Sequence, residues 1–323
     1  MEDREYVGKD FIWFFGVVES RDDPLQIGRV QVRCHYWHTE DKSVLPTSQL
    51  PWAQCVQPIT SAAVSGIGKA ALGLVEGSLV MGFFMDGKYA QRPMILGSIA
   101  GIPTQAADPT KGFNDPNGVY PTILGEPDIG RLSVNKNETL SATKNDARSL
   151  GISKGNSTET WNEPASAYAA RYGNNHVMST ESGHVQEFDD TPGNERIHEY
   201  HKAGTFYEID SNGNKITRIV GDEYEITLQD RNVYIKGSCN ITIDSNATTH
   251  IKGDWNIQVD GNKTENVAGT YNQTVTGKGR ANWNGSGSDI VVNNGSSDIG
   301  LTTHTHTDPA GIAGSESSSA NDS

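Results

Sequence analysis

Six consecutive units of eight residues fill the stretch from Val233 to Arg280: VYIKGSCN, ITIDSNAT, THIKGDWN, IQVDGNKT, ENVAGTYN and QTVTGKGR. The third position of every unit is aliphatic and β-branched: Ile235, Ile243, Ile251, Val259, Val267 and Val275. Glycine stands at the fifth position of every unit except the second, which has Ser245. Alternation before a glycine turn predicts one short strand per unit, with one face buried.

The octads are poor in residues that could fill an interior. Each unit supplies only one or two aliphatic side chains, which is too few for the core of a wide solenoid built by a single chain. Three chains wound together would close a narrow core of stacked Ile and Val, with Asn, Thr, Lys and Asp outside. The repeat therefore predicts an intertwined, trimeric triple-stranded β-helix, and a single-chain solenoid or an irregular β-domain is the alternative.

The amino-terminal third of the chain has a different pattern. Five β-branched or aromatic runs are bounded there by Gly, Pro or Asp turns. The runs are Trp13 to Val18, Gly28 to His35, Trp52 to Gln57, Leu79 to Met85 and Met94 to Ile99. Five short strands in this length predict a small Greek-key barrel of OB type. The Ala- and Gly-rich segment from Ile59 to Gly73 is predicted to be a long loop at the barrel rim.

Between these regions the chain is rich in Pro, Gly, Asn, Ser and Thr, and shows no persistent period from about Thr104 to Tyr172. We predict an extended linker there. Strand patterns return near Met178, and Asn212-Gly213 between two alternating runs predicts a β-hairpin. The fold class is accordingly all-β. The predicted domains are a barrel over 1–105, a linker over 106–177, a trimeric β-helix over 178–300 and a tip over 301–323.

Composition excludes several partners. The formal net charge is −14, whereas nucleic-acid binding depends on clustered Lys and Arg, so we expect no nucleic-acid partner. No apolar run approaches the roughly 20 residues that span a bilayer, and the first residues lack the plan of a signal peptide, so synthesis in a cytoplasm is expected. Cys34, Cys55 and Cys239 form no metal or disulfide pattern.

Short motifs that resemble catalytic or ligand sites lack the spacing or the residues that such sites require. His198 and His201 lack the spacing of zinc proteases and are interpreted as surface histidines at a strand end. Gly66-Ile67-Gly68-Lys69 lacks the first glycine and the final Ser or Thr of a phosphate loop. No catalytic residue and no cofactor-binding residue is predicted.

A metal site is predicted near the carboxyl end, at His304 and His306. Two residues apart on an extended strand, these side chains project from the same face. On a threefold axis three chains would supply six imidazoles, an octahedral set suited to iron or another first-row divalent metal. The alternative is a polar tail that happens to contain two histidines.

Several non-repetitive stretches resemble the central spike proteins of contractile phage tails. They are Trp13 to Glu19, Asp23 to Leu25, Gly28 to Val30, Leu50 to Trp52, Gln57 to Ala63, Ser65 to Gly68 and Glu181 to Gly193. The resemblance covers roughly residues 11–125 and 178–280. It implies an OB-fold domain that docks on the trimeric hub ring of the baseplate, and a β-helix that is driven through the host outer membrane on tail contraction.

The resemblance also carries expectations for the tip, the partners and the chemistry. The His304 and His306 pair resembles the tips of other phage spikes, where such a pair binds iron, so one iron ion per trimer is expected. The best-known family members carry a lysozyme domain where this chain has only the linker, so no enzyme activity is expected. We expect a homotrimer in the virion tail baseplate, the loop from Ser61 to Gly73 as a hub contact, and a separate tip protein or lysin as a further possible partner.

Two other functions share parts of this pattern. A tailspike enzyme acting on surface polysaccharide or cell wall would show a wide solenoid with clefts and a carboxylate pair, for which these octads are too short. A spike of a bacterial secretion system shares the same physics, but such spikes usually carry a fused hub domain before the barrel.

Overall fold

The computed structural model describes residues 11–127, 130, 133, 150–155, 158–279, 291–293 and 298–300. Within these ranges the regular elements are fourteen β-strands and two short 3-10 turns, Thr47–Gln49 and Gly87–Tyr89. The predicted all-β fold class is confirmed. None of the helical segments in the described ranges has the length and apolar character needed to cross a lipid bilayer.

The amino-terminal strands close into a barrel. They are β1 (Trp13–Ser20), β2 (Val30–Cys34), β3 (Trp52–Cys55), β4 (Leu79–Phe84) and β5 (Pro93–Ser98). The strand order is β1-β2-β3-β5-β4, and β4 pairs with β1 to close the circle. Only β3 and β5 are parallel. This is the predicted OB-type barrel, with all five strands where the runs of β-branched and aromatic residues indicated.

Alternation along the strands fills the barrel interior. Phe14, Val18, Val32, Val80 and Ile95 are each at most 3% exposed and belong to one apolar cluster. Residues at every second position of a strand share a face, so the period of two in the sequence is enough to select this core. The predicted loop from Ile59 to Gly73 contains no strand.

A buried ion pair ties the barrel to the segment that follows it. Arg33 Nε donates to Glu19 Oε1 at 2.6 Å, and both side chains are fully buried. Glu19 also accepts hydrogen bonds from the Thr47 hydroxyl at 2.7 Å and from the backbone N–H of Phe113 at 2.8 Å. The Arg33 guanidinium donates to two backbone carbonyls as well. The first part of the predicted linker is therefore fixed on the barrel surface.

Two short strands, β6 (Ile152–Ser153) and β7 (Thr160–Trp161), form an antiparallel pair within the predicted linker. The next five strands form an antiparallel meander: β8 (Asn175–Ser179), β9 (Val185–Asp189), β10 (Arg196–Tyr200), β11 (Phe206–Ile209) and β12 (Lys215–Arg218). Their order is β12-β11-β10-β9-β8, so β8 and β12 are the sheet edges.

The predicted hairpin is present between β11 and β12. Its turn differs from the expectation that both Asn212 and Gly213 have positive φ, because only Gly213 does, at 80°. Asp210 holds the turn instead, since its Oδ1 accepts the backbone N–H groups of Asn212 and Asn214 at 2.9 Å each. Asp210 N–H donates to the Asn214 carbonyl at 3.0 Å, so the loop has three residues, and a loop of this length needs only one left-handed residue, here Gly213.

The chain divides into two compact units, residues 1–246 and residues 247–323. The barrel and the five-stranded sheet both lie in the first unit. The second unit contains a two-stranded pair of β13 (Val291–Asn293) and β14 (Asp298–Gly300).

Candidate assembly interface

The five-stranded sheet carries its charged residues on a buried face. Glu187, His198 and Glu208 lie side by side in one row across β9, β10 and β11, and each is at most 1% exposed. Arg196 occupies the neighbouring row and is 3% exposed. A buried charge is tolerated only where it is paired and hydrogen-bonded. This face of the sheet is therefore held by an ionic network rather than by an apolar core.

Arg196 is the centre of that network. One end of its guanidinium contacts Glu187 Oε2, and Nη1 donates to Glu208 Oε2 at 3.2 Å. Glu187 also accepts from the Asn175 side-chain amide at 2.6 Å. His198 Nδ1 lies 3.6 Å from Glu187 Oε2, and neither ring nitrogen of His198 has a hydrogen-bond partner among the described residues.

The chain itself covers this polar face. Glu208 accepts hydrogen bonds from the Ser166 hydroxyl at 2.7 Å and from the backbone N–H of Ala167 at 2.8 Å. Tyr168 and Ala170 form a small apolar cluster with Val185 of β9. Part of the predicted linker therefore serves as a strap that shields the charges from water.

The opposite face of the sheet is mixed: one row has three partly exposed apolar side chains at its centre, and the adjacent row is mainly polar, with Gln186, Glu199 and Thr217. One row across it joins His176, Phe188, Ile197, Ile209 and Lys215, in the register of the five strands. Phe188 is 47% exposed and Ile197 is 36% exposed, and Met178 in the adjacent row is more exposed still. We call Phe188, Ile197 and Ile209 the outer row. A group of exposed apolar side chains of this kind is typical of a contact site.

The octads bury none of their aliphatic side chains within one chain. The third-position residues, from Ile235 to Val275, are 43% to 56% exposed. No strand is formed between Gly221 and Gly279, all of which the structure describes. Among the described residues, this regular apolar row has no strand partner.

A polar clasp joins the barrel to the sheet. Arg21, at the end of β1, donates from its two terminal nitrogens to the two carboxylate oxygens of Glu181, at 2.6 and 2.9 Å. The Tyr120 hydroxyl donates to Glu181 at 2.5 Å, and Arg21 Nε lies 3.3 Å from Glu76. Glu181 is in the turn between β8 and β9, so the clasp joins residues 160 positions apart.

The hydrogen bonds of the clasp shift the pKa values of Glu181 and Tyr120. The hydrogen bond from Arg21, followed by that from Tyr120, lowers the pKa of Glu181 from 4.5 to about 2. The hydrogen bond to Glu181, together with burial, raises the pKa of Tyr120 to about 12. Hydrogen bonds to a carboxylate favour its charged form, and the same bond disfavours loss of the tyrosine proton.

Replacing Glu181 with Gln is expected to destabilise the barrel–sheet contact at pH 7, by about 0.2–1 kcal/mol because the pair is exposed. A depressed carboxyl pKa contributes stability that is present above the unfolded value of 4.5 and is lost as the pH falls towards about 2. The difference in melting temperature between the wild type and Glu181→Gln should therefore shrink on acidification. Thermal unfolding at pH 7 and pH 3 measures this, with Glu40→Gln as the exposed control.

The predicted functional residues fall in two places. His304 and His306 lie outside the described residues. The loop from Ser61 to Gly73 is described, and it exposes Val64, Ile67 and Leu72 while the Ser61 hydroxyl accepts the backbone N–H of Lys69 at 3.1 Å. Within the described ranges, no group of three or more His, Cys, Asp or Glu side chains is arranged to hold a metal ion.

One interpretation from the sequence is wrong. His198 was interpreted as a surface histidine, but it is fully buried in the ionic network. Arg196, His198 and Tyr200 alternate as on a strand with one face buried. A sequence pattern indicates a buried face by apolar residues, and Arg196 and His198 are polar. Charged residues at alternate positions of β9, β10 and β11 could have indicated the network, since all three strands share the same period.

The fold and these surfaces define a class: an all-β protein with an OB-type barrel towards its amino terminus and a glycine-octad repeat towards its carboxyl terminus. A family model described as the Gp5 N-terminal OB domain matches residues 35–176. Protein Gp5 of Vibrio phage KVP40 is 40% identical over 278 residues, which are 75% of this chain and 66% of that protein.

The pre-baseplate central spike protein Gp5 of Enterobacteria phage T4 is 44% identical over 126 residues, 38% of this chain and 22% of that protein. The chain belongs to the Gp5 family of phage central spike proteins. It covers just under two thirds of the length of the Vibrio phage relative and about a fifth of that of the T4 relative.

Proposed function

We propose that this protein is a structural component of a phage tail baseplate, a trimeric spike that pierces the host cell envelope when the tail contracts. The observation that carries the proposal is the octad repeat, whose third-position residues are 43% to 56% exposed in one chain. The names of the two relatives, one of them a pre-baseplate central spike protein, support it. The site of action is the virion tail baseplate.

The mechanical role follows from the chemistry of a closed multichain sheet. In a three-chain prism the backbone groups of each octad strand are hydrogen-bonded to neighbouring chains, so no sheet edge is free. Such a rod is stiff without a large apolar core. The Asn, Thr, Lys and Asp side chains of the octads would then face water.

The barrel is proposed to be the mount on the baseplate hub ring. Its rim loop presents Val64, Ile67 and Leu72 to solvent, each more than 60% exposed. Three exposed aliphatic side chains on one loop form a surface suited to another protein. The clasp between Arg21 and Glu181 supports transmission of force from the mount to the sheet, because it joins the two domains through charge-assisted hydrogen bonds.

The first experiment is native mass spectrometry of the purified full chain. A trimer supports the spike, and a monomer at micromolar concentration would contradict the architecture. Incubation of the same protein with peptidoglycan and with surface polysaccharide separates a structural spike from an enzyme. Release of sugars or peptides would overturn the proposal that the protein has no enzymatic activity of its own.

We also propose that His304 and His306 hold one iron ion per trimer at the tip. Six imidazole nitrogens are a suitable donor set for iron or another first-row divalent metal, which would bind the three chain ends together. Elemental analysis should find one metal ion per three chains in the wild type. The His304→Ala/His306→Ala variant should lose it, whereas His250→Ala, in the octads, should keep it. A metal-free wild type or a loaded double variant would contradict the site.

A further inference from the structure

The octads cannot by themselves fix how three chains are aligned along their length. Every unit has Ile or Val at its third position, so a chain shifted by one whole octad still sets aliphatic against aliphatic at five of the six levels. Register is strongly specified only where the pattern of a strand is not repeated. Some non-repetitive element next to the octads must therefore set the alignment.

The five-stranded sheet is the non-repetitive element that immediately precedes the octads. Its outer row consists of one aromatic side chain, Phe188, and two isoleucines, Ile197 and Ile209, which stand at one level of three neighbouring strands and occur once in the chain rather than in every octad. The opposite face already has its cover, because the strap from Ser166 to Ala170 lies over the ionic network. On the outer face, Phe188 and Ile197 remain 47% and 36% exposed among the described residues.

Two further copies of the same chain are the partners that the sheet fits. If the outer row faces a threefold axis, the sheet forms one wall of a prism and continues the inward rows of Ile and Val that begin at Ile235. At the corners of such a prism, β8 of one copy lies next to β12 of the next copy. Asp190 stands exposed beside β8 and Lys215 stands exposed on β12, so the charges at adjoining edges are complementary.

We propose that the outer row of Phe188, Ile197 and Ile209 is a contact between three copies of this chain, and that it sets the register of the octads. The inference rests on the proposed trimeric spike. The inference adds separate roles to the proposed spike: the sheet selects one alignment of the three chains, and the octad repeat supplies length and stiffness. A trimer without this contact would still form, but as a mixture of shifted alignments.

Cys239 makes this testable in the full chain. It is exposed, and it lies at the seventh position of the first octad. Cys34 is buried, and burial raises the pKa of its thiol to about 12, so it does not compete for labelling. With Cys55→Ser as background, a nitroxide on Cys239 reports distances between copies by pulsed electron resonance. An aligned trimer gives one short distance, and shifted chains add longer ones.

The test compares Phe188→Ser/Ile197→Ser with Phe188→Leu and with the control Tyr89→Ser, whose parent side chain is 62% exposed and lies in the barrel, not in the five-stranded sheet. We expect one distance in the wild type, in Phe188→Leu and in Tyr89→Ser. The double serine variant should remain a trimer and show added longer distances, while β9 and β10 keep their protection from hydrogen exchange. A monomeric double variant would overturn the inference, because the row would then be needed for association rather than for register.

A double serine variant that remains a trimer with the single wild-type distance would overturn the inference and leave the trimeric spike intact. A double variant that loses protection in β9 and β10 would also overturn it, because the row would then be needed for the sheet itself. A wild-type chain that is monomeric in native mass spectrometry would instead contradict the proposed function. The two failures are therefore distinguishable.

Discussion

Replacing Ile251 with Asp is expected to convert the proposed trimer into monomers. Ile251 occupies the third position of its octad and is 43% exposed in a single chain, so burial of this side chain depends on the other copies. Around a threefold axis the substitution places three carboxylates close together in an apolar interior. An unpaired buried charge costs about 3–5 kcal/mol, and three of them cost about 9 kcal/mol or more. The association constant should fall by roughly 10⁶-fold.

Native mass spectrometry and light scattering at micromolar concentration measure this change. His250→Asp is the matched control, since it adds the same carboxylate one residue away, on the face that alternation turns outward. The control should remain a trimer. Equal trimer content in Ile251→Asp and His250→Asp would show that the third position does not face the interior, and the prism would then have to be abandoned.

The second large effect is expected in the barrel. Arg33→Ala leaves Glu19 buried and without its ionic partner, and it also removes the donors to two backbone carbonyls. Loss of one partner of a buried ion pair costs about 3–5 kcal/mol. The barrel should lose most of its stability, because folded domains are only marginally stable. Arg92→Ala, at an exposed position, should change stability by less than about 0.5 kcal/mol.

The destabilisation caused by Arg33→Ala is expected to be larger at neutral pH than at acidic pH. Burial raises the pKa of Glu19, but hydrogen bonds from Arg33, Thr47 and the Phe113 backbone outweigh it, so the pKa lies below 4.5. The pair therefore stabilises the wild type above pH 4.5 and loses this contribution as the pH falls. Without Arg33, burial dominates and the neutral acid is favoured. The difference in free energy of unfolding between the wild type and Arg33→Ala should therefore become smaller as the pH falls.

Hydrogen exchange of the β1 and β2 amides in urea measures the opening free energy of the barrel alone, at pH 7 and at pH 4. The role given to the ion pair would be contradicted if the difference in opening free energy between the wild type and Arg33→Ala were larger at pH 4 than at pH 7. A loss of opening free energy below about 1 kcal/mol at pH 7 would also contradict it.

Local patterns predicted the elements of this fold well. The five barrel strands follow from runs of β-branched and aromatic residues between turn residues, and the β11–β12 hairpin follows from Asn212-Gly213. These signals concern neighbouring residues and need no knowledge of the rest of the chain. The buried face of strand β10 was not predicted, because its buried positions carry Arg196 and His198 instead of aliphatic side chains.

The candidate interface was predictable only in part. The inward row of the octads is visible in the sequence, since one period repeats six times. The outer row is not, because Phe188, Ile197 and Ile209 lie on different strands and meet only through their register. The clasp between Arg21 and Glu181 could not be predicted either, since it joins residues 160 positions apart.

The sequence by itself determined the strand period, the turns, the barrel and the octad repeat, because these depend on side-chain alternation and on backbone freedom within a few residues. The tertiary structure alone decided which face of the five-stranded sheet is buried. Hydrophobicity favours burying Phe188 and Ile197, yet within one chain the buried face is the charged one. The reason is that Arg196 pairs with Glu187 and Glu208 only when three strands are aligned, and the strap then completes the network.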